Sequence, residues 1–193
     1  MGTPKKGRLV IVAGPSGAGK SSVLQLLLKT CPLPLVLSVS ATTRDPRPGE
    51  KDGRDYYFLT QQEFRRRREN DDFLEFMEVY GRGDWYGTLR SEVASGLNAG
   101  KWVVLEIDVE GTLKVLEKCP DAITVFVHPG SMQELEARLR SRGTETAEVI
   151  RRRLEVGARE MAQKGRYRHE VVNQVMEEAA QQMCKLLMAY QKE

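Results

Sequence analysis

The chain has 193 residues, which predicts one domain or at most two, long enough to bury a real core without metals or cross-links. Apolar residues make up 40% and charged residues 30%, a globular rather than a disordered composition. Lys and Arg number 30 against 27 Asp and Glu, and the resulting +3 is too balanced for a non-specific nucleic-acid binder.

Leu9 to Ala13 is a β-branched apolar run stopped by Gly14, which predicts a buried strand. From Lys20, the residues Val23, Leu24, Leu27 and Leu28 share a face and predict a helix that ends before Pro32. Val36 to Ser40 reads as a second strand, and Pro46, Pro48, Gly49 and Gly53 amid charges read as a loop. Tyr56 to Leu59, Phe73 to Val79 and Asp84 to Tyr86 predict short strands, with a polar helix from roughly Gln61 to Asn70. Val103 to Asp108 and Ile123 to Val127 return to buried-strand character, each followed by a helical stretch. Met132, Leu135 and Leu139 share a helix face, as do Val175, Met176, Ala179, Met183 and Leu187. Strand–helix alternation at both ends predicts an α/β fold, a parallel sheet core flanked by helices. Residues 40–90 break that rhythm as an inserted small β-rich unit. No internal repeat is visible.

Cys31, Cys119 and Cys184 are odd in number, widely spaced and lack any C-x-x-C pattern, so no disulfide framework is expected and a reducing cytosol is the natural home. His128 and His169 have no zinc-site spacing with them. The basic stretch Met1 to Arg8 leads into no signal region, and Lys6 stands where myristoylation of Gly2 wants Ser or Thr. The expectation is a cytoplasmic protein. No apolar stretch approaches the ~20 residues of a membrane span.

Gly14-Pro15-Ser16-Gly17-Ala18-Gly19-Lys20-Ser21 fits G-x-x-x-x-G-K-[ST], between a predicted strand and a predicted helix. Its glycines let backbone N–H groups turn inward and the helix N-terminus adds positive potential, so phosphate oxygens are held. Lys20 is expected to reach the β- and γ-phosphates of ATP, and the Ser21 hydroxyl to ligate Mg²⁺. Asp108, at the end of an apolar strand, is the carboxylate expected near that magnesium; Glu106 points to the same face.

Arg44 and Arg47, three apart before a Pro-Gly turn, make either a fork for an anionic phosphate or a charged solvated loop. Glu75 and Glu78 lie on opposite faces of one predicted strand, and pattern alone does not choose between them as the carboxylate that meets a ligand.

T-T-R-x-P-R-x-G-E and then G-x-x-Y-x-F, at Thr42, Thr43, Arg44, Pro46, Arg47, Gly49, Glu50, Gly53, Tyr56 and Phe58, resembles the guanylate kinase signature. The resemblance runs from about Arg8 to the C-terminal helix. It implies a P-loop core at about residues 8–39, 89–137 and 166–193, a GMP-binding insertion at about 40–88 and a helical lid at about 138–165, together one domain, 1–193. Arg44, Arg47, Tyr56 and Tyr86 would hold the GMP phosphate, while Ser40, Glu75 and Thr88 would meet the guanine. Guanine shows adjacent N1–H and N2 amino donors that one carboxylate accepts, whereas adenine would oppose an acceptor to it. Asp108 joins the GMP set, and the magnesium through water.

R-x-R-G-T-E-T from Arg140 to Thr146, with Arg153-Leu154, is similar to the lid of the same family. By that resemblance Arg142 and Arg153 meet the transferring phosphoryl oxygens, with Arg138 a further candidate. Asn173 resembles a motif near the ATP base; a turn residue ending a strand is its other reading. The chain departs from the family pattern in about two extra residues before Tyr86, in Trp85 where Tyr is common, in Glu110 for Gln, and in Arg168-His169-Glu170.

The implied activity is ATP:GMP phosphotransfer in purine metabolism and GMP recycling, with Mg²⁺ as cofactor and dGMP as an alternative acceptor. Lys20, Arg47, Arg142 and Arg153 would neutralise charge, and no nucleic-acid or membrane partner is expected. A guanylate-kinase-like binding module is a rival, but its phosphate loop is typically degraded and here Gly19, Lys20 and Ser21 are intact. A kinase of a ribose bisphosphate, the other rival, would not need Ser40, Glu75 and Thr88.

Overall fold

The computed structural model describes residues 7–78, 83–141 and 146–191. In chain order its elements are β1 (Arg8–Ala13), α1 (Lys20–Thr30), β2 (Leu35–Leu37), β3 (Ala41–Thr42), β4 (Tyr57–Phe58), α2 (Gln61–Glu69), β5 (Phe73–Glu78), β6 (Trp85–Leu89) and α3 (Arg90–Asn98). There follow β7 (Trp102–Glu106), α4 (Val109–Lys118), β8 (Ile123–His128), α5 (Met132–Ser141), α6 (Ala147–Met161), a 3₁₀ turn (Lys164–Arg166), β9 (His169–Val172) and α7 (Met176–Tyr190). A five-stranded sheet has the order β2-β7-β1-β8-β9, and a four-stranded sheet the order β4-β3-β6-β5.

The chain divides into two compact units. One comprises Met1–Leu9, Val36–Leu105 and Glu110–Ala122; the other Val10–Leu35, Glu106–Val109 and Ile123–Glu193.

In the second of these, β1 and β8 pair in parallel from Val10↔Ile123 to Ala13↔Phe126, and β8 pairs in parallel with β9. Val10, Ile11, Val12 and Ala13 are fully buried, as a strand covered on both faces requires, and this is why the segment reads as an unbroken apolar run. α1 buries Val23, Leu24 and Leu27 and stops at Cys31, whose N–H closes on Leu27 O, with Pro32 next. α1 and α7 pack together, and Cys31 at the end of α1 forms a disulfide with Cys184 on α7. This corrects the expectation of unpaired cysteines: 153 residues separate the two in sequence, and only helix packing brings them to a Cα–Cα distance of 5.6 Å. Closing so long a loop restricts the unfolded chain. Dithiothreitol is therefore expected to lower the melting temperature by about 6–12 °C, from ~3 kcal/mol at ~2–4 °C for each kcal/mol. Cys31→Ser should melt alike with and without reductant, and a wild-type melt insensitive to reductant would deny the cross-link.

The other unit holds the four-stranded sheet. β5 and β6 are antiparallel, β3 pairs antiparallel with β6, and β4 pairs in parallel with β3. One face packs Phe64 of α2 against Ala41, Phe73 and Leu89. The Thr60 side chain caps α2 by accepting the Glu63 N–H at 3.1 Å, and Glu63 in turn binds Arg66 and Arg67. The strand expected over Val36 to Ser40 is only Leu35–Leu37; the chain then passes through Ser38 to Ser40 and joins the four-stranded sheet at Ala41. α3 had no reading in the sequence, because Val93 is its sole buried residue and one position sets no period.

Candidate active site

β1 delivers the chain into the Gly14–Ser21 loop, and α1 begins at Lys20. Gly14, Gly17 and Gly19 have φ of 141°, 97° and 83°, and a Cβ on Gly14 would lie 1.9 Å from Val127 O, so the path admits only glycine there. Residues Lys20-Ser21-Ser22 put no acid in the first turn of α1, and Gly19 offers no side-chain cap, so that helix end suits an external anion. Lys20 Nζ donates to Gly14 O at 2.6 Å and to Pro15 O at 3.1 Å. Ser21 Oγ donates to Glu106 Oε1 at 2.7 Å. Ser16, Gly17, Lys20, Ser21 and Glu106 line a cavity of about 240 Å³. Burial pushes the Lys20 ammonium pKa down, against Glu106, Glu160 and Asp108, which pull it up.

The loop is braced from the protein side. Asn173 Nδ2 donates to Ala18 O at 2.7 Å, Arg138 Nη2 to Asn173 O at 2.7 Å and Arg138 Nη1 to Ala18 O at 3.4 Å. The Asn173 N–H donates to His128 O at 2.7 Å. His128 Nδ1 accepts the Gly130 N–H, which assigns the ring proton to Nε2, shared with Glu170 at 2.7 Å.

In the other unit Glu75 stands directly opposite Thr88, whose Oγ1 donates to Glu75 Oε1 at 2.6 Å. Glu75 is 5% exposed and Thr88 1%. A register shift between Phe73 and Glu75 sends Phe73 to the apolar side with Phe76, their rings 6.1 Å apart, and leaves Glu75 on the other face with Thr88. Unbroken alternation would put Phe73 and Glu75 on one face; the bulge separates them. Glu78 is exposed and accepts the Gly83 N–H at 3.0 Å.

Arg44 Nε donates to Tyr86 Oη at 3.1 Å, and its Nη2 meets both Glu50 oxygens, at 3.0 and 2.9 Å. Its guanidinium lies 5.5 Å from the Tyr56 ring centroid, and Tyr56 packs edge-on to Tyr86. Glu50 Oε2 also accepts the Arg47 N–H at 2.7 Å; that contact, then Arg44, holds the Glu50 carboxyl below the usual range. Thr42 Oγ1 accepts the Arg44 N–H, and Thr43 Oγ1 accepts from Trp85 N–H and Gln61 Nε2. The threonines and Glu50 thus shape the loop that carries the arginines.

A family model described as guanylate kinase matches residues 6–190. A guanylate kinase of Rhodopirellula baltica is 54% identical over 192 residues, covering 98% of this chain and 91% of that protein. One from Clostridium perfringens is 45% identical over 184 residues, covering 95% and 84%. The chain belongs to the guanylate kinase family. Its activity is accordingly that of a nucleoside monophosphate kinase, a phosphotransferase. The crystal structure of a guanylate kinase from Anaplasma phagocytophilum matches with a TM-score of 0.78 at 32% identity, covering 98% of this chain and 88% of that one.

Within this guanylate kinase fold, residues Gly14 to Ser21 and Asn173 come together around the loop, and Arg44, Tyr56 and Tyr86 around one guanidinium. Arg47 is exposed, Ser40 O accepts the Tyr57 N–H, Asp108 is half-buried just before α4, and Arg153 is half-buried on α6. Arg142 lies outside the described residues, as do residues 79–82 of the lengthened loop. The carboxylate that accepts the Ser21 hydroxyl is Glu106, two residues before Asp108, the acid expected near the magnesium.

Glu160 on α6 was not singled out in the sequence. Its carboxylate accepts the Ser16 N–H; burial first, and Asp108, push its pKa up to about 7 against the pull of Lys20 and of that N–H. A carboxyl whose folded pKa is above its unfolded value of 4.5 contributes stability that is complete below 4.5 and lost as pH rises through about 7. Glu160→Gln is expected to flatten that loss, ~3 kcal/mol in the ligand-free protein, in denaturant melts between about pH 5 and 8. An unchanged slope would mean that the carboxyl titrates normally.

Among the described residues no helix is long and apolar enough to cross a membrane.

Proposed function

We propose that this chain transfers the γ-phosphoryl group of ATP to GMP, giving ADP and GDP, with residues 40–88 receiving GMP and residues 138–165 closing over the nucleotides. The observation that carries the acceptor assignment is the buried Glu75–Thr88 pair in the same sheet as the Arg44–Tyr86 pair. An ionised carboxylate has about four acceptor sites and Thr88 uses one, so Glu75 can take the guanine N1–H and N2 amino group. Arg44, Arg47, Tyr56 and Tyr86 hold the GMP phosphate, and Ser40 adds a contact to the base.

The oxygen donors beside the loop suit a magnesium ion that keeps most of its water. Ser21 would hold it, with Glu106 orienting the Ser21 hydroxyl and Asp108 acting through water. When bound, Mg²⁺ neutralises charge on the β- and γ-phosphate oxygens. A GMP phosphate oxygen attacks the γ-phosphorus in line while the bond to the ADP oxygen breaks. That nucleophile is already anionic, so no general base is required. Lys20, Arg47, Arg142 and Arg153 offset the charge on the equatorial oxygens, and lid closure excludes water that would hydrolyse ATP. Asp108 is also assigned a contact to GMP, and Asn173 fixes the loop that holds ATP. The enzyme works in the cytoplasm, with its nucleotide substrates.

ADP release from Mg·ATP, run in parallel with GMP, dGMP, AMP, CMP, UMP and no acceptor, tests the reading. ADP is expected with GMP and dGMP alone. Folded protein that binds GMP yet releases no GMP-dependent ADP would overturn the assignment in favour of a binding module.

A further inference from the structure

α6 carries Ile150, Leu154, Gly157 and Glu160 at spacings of four, three and three, one face of a helix. Gly157 is buried on that face, and a Cβ there would stand 2.8 Å from Leu135 Cδ2 and 3.7 Å from Pro15 Cβ. The missing side chain lets α6 press against Leu135 of α5, with Pro15 of the phosphate loop at ordinary contact distance. One turn later, the Glu160 carboxylate accepts the N–H of Ser16, the next loop residue, and faces Lys20 and Asp108. Its Oε2 is buried and has no hydrogen-bond partner among the described residues. A carboxylate in that position is unfavourable for folding alone, since a buried acceptor without a donor forfeits its hydration. Arg153 lies seven residues before Glu160, two turns away on the same side of α6.

We propose that Glu160 is a positioning residue, which holds the Ser16 amide and draws the Lys20 ammonium so that the loop is set to receive the ATP phosphates, and which ties the helix bearing Arg153 to that loop. This rests on the reading of Gly14–Ser21 as the ATP phosphate site. Glu160 takes no proton from substrate, because the attacking phosphate needs no base. Its effect passes through two atoms, the Ser16 N–H and Lys20 Nζ, both on the ATP side of the reaction. Loss of Glu160 should therefore weaken ATP use and spare GMP.

Two variants of similar length separate the roles. Glu160→Met fills the space without an acceptor, and Glu160→Gln keeps an acceptor oxygen without the charge. Glu160→Met is expected to raise KM for Mg·ATP about tenfold and leave KM for GMP within about twofold. Glu160→Gln should bring KM for ATP back to within about threefold of wild type. Equal behaviour of Met and Gln, or KM for GMP rising in step with KM for ATP, would overturn the proposal. A measurement on the wild-type protein stands apart from any folding defect of the variants: hydrogen exchange at the Ser16 amide in the nucleotide-free chain. Slow exchange that speeds up in Glu160→Met and stays slow in Glu160→Gln is expected; exchange as fast as an open loop amide in wild type would sink the contact. Wild-type protein without GMP-dependent ADP release would fail the phosphotransfer reading instead, with the Ser16 exchange still deciding the contact.

Discussion

Lys20→Ala is expected to lower kcat for GMP phosphorylation by about 10³-fold, the usual loss when one preorganised donor to a developing charge is removed. Lys20 Nζ is held by Gly14 O and Pro15 O, so its ammonium is placed by the loop itself rather than by a flexible tether. Three acids, Glu106, Glu160 and Asp108, support its charge against burial. GMP binding should stay within about twofold, because Arg44, Tyr56, Glu75, Tyr86 and Thr88 lie in the other unit. Steady-state ADP release at saturating nucleotides, with circular dichroism as a check of fold, measures the effect. A variant keeping more than about a tenth of wild-type kcat would move the charge-neutralising role to the arginines.

Glu75→Gln should lower kcat/KM for GMP by about 10²–10³-fold and narrow the preference for GMP over AMP. The amide presents an NH₂ donor where the carboxylate presented an acceptor, so one guanine N–H would face another N–H in a buried site. Thr88 Oγ1 can still donate to the remaining oxygen, which keeps the strand pair intact and the protein folded. Competing GMP and AMP in one assay reads the selectivity directly. Glu78→Gln, an exposed carboxylate at the end of β5, should change neither rate nor selectivity. An unchanged GMP preference in Glu75→Gln would remove Glu75 from base recognition.

Much of the site was legible because its chemistry depends on neighbours in the chain. The loop from Gly14 to Ser21 needs glycines at the left-handed turns Gly17 and Gly19, a lysine and a hydroxyl at set offsets, and the structure has those torsions. Arg44 and Glu50 are six apart and meet in one local loop, so their pairing follows from the turn at Pro46 to Gly49. β1 and α1 were readable for a similar reason: a continuous apolar run and a helical stripe are local periods.

Other features escaped because their partners are distant in sequence. The bulge between Phe73 and Glu75 shifts the alternation by one residue, and the strand itself contains no sign of it; pairing with Thr88 and Leu89 sets it. Glu160 looks like one more acid on a charged helix until the packing of α6 brings it to Ser16 and Lys20. Cys31 and Cys184 likewise look unrelated until α1 and α7 pack.

The amino-acid sequence by itself determined the α/β class, the phosphate loop and the family, since each rests on residue types at short, fixed spacings. Only the tertiary structure decided that Glu106 accepts the Ser21 hydroxyl, that Glu75 turns away from Phe73, and that Glu160 comes to Ser16 and Lys20. Hydrogen bonds and close packing act over a few ångströms, and at that range separation along the chain carries no information about which groups meet.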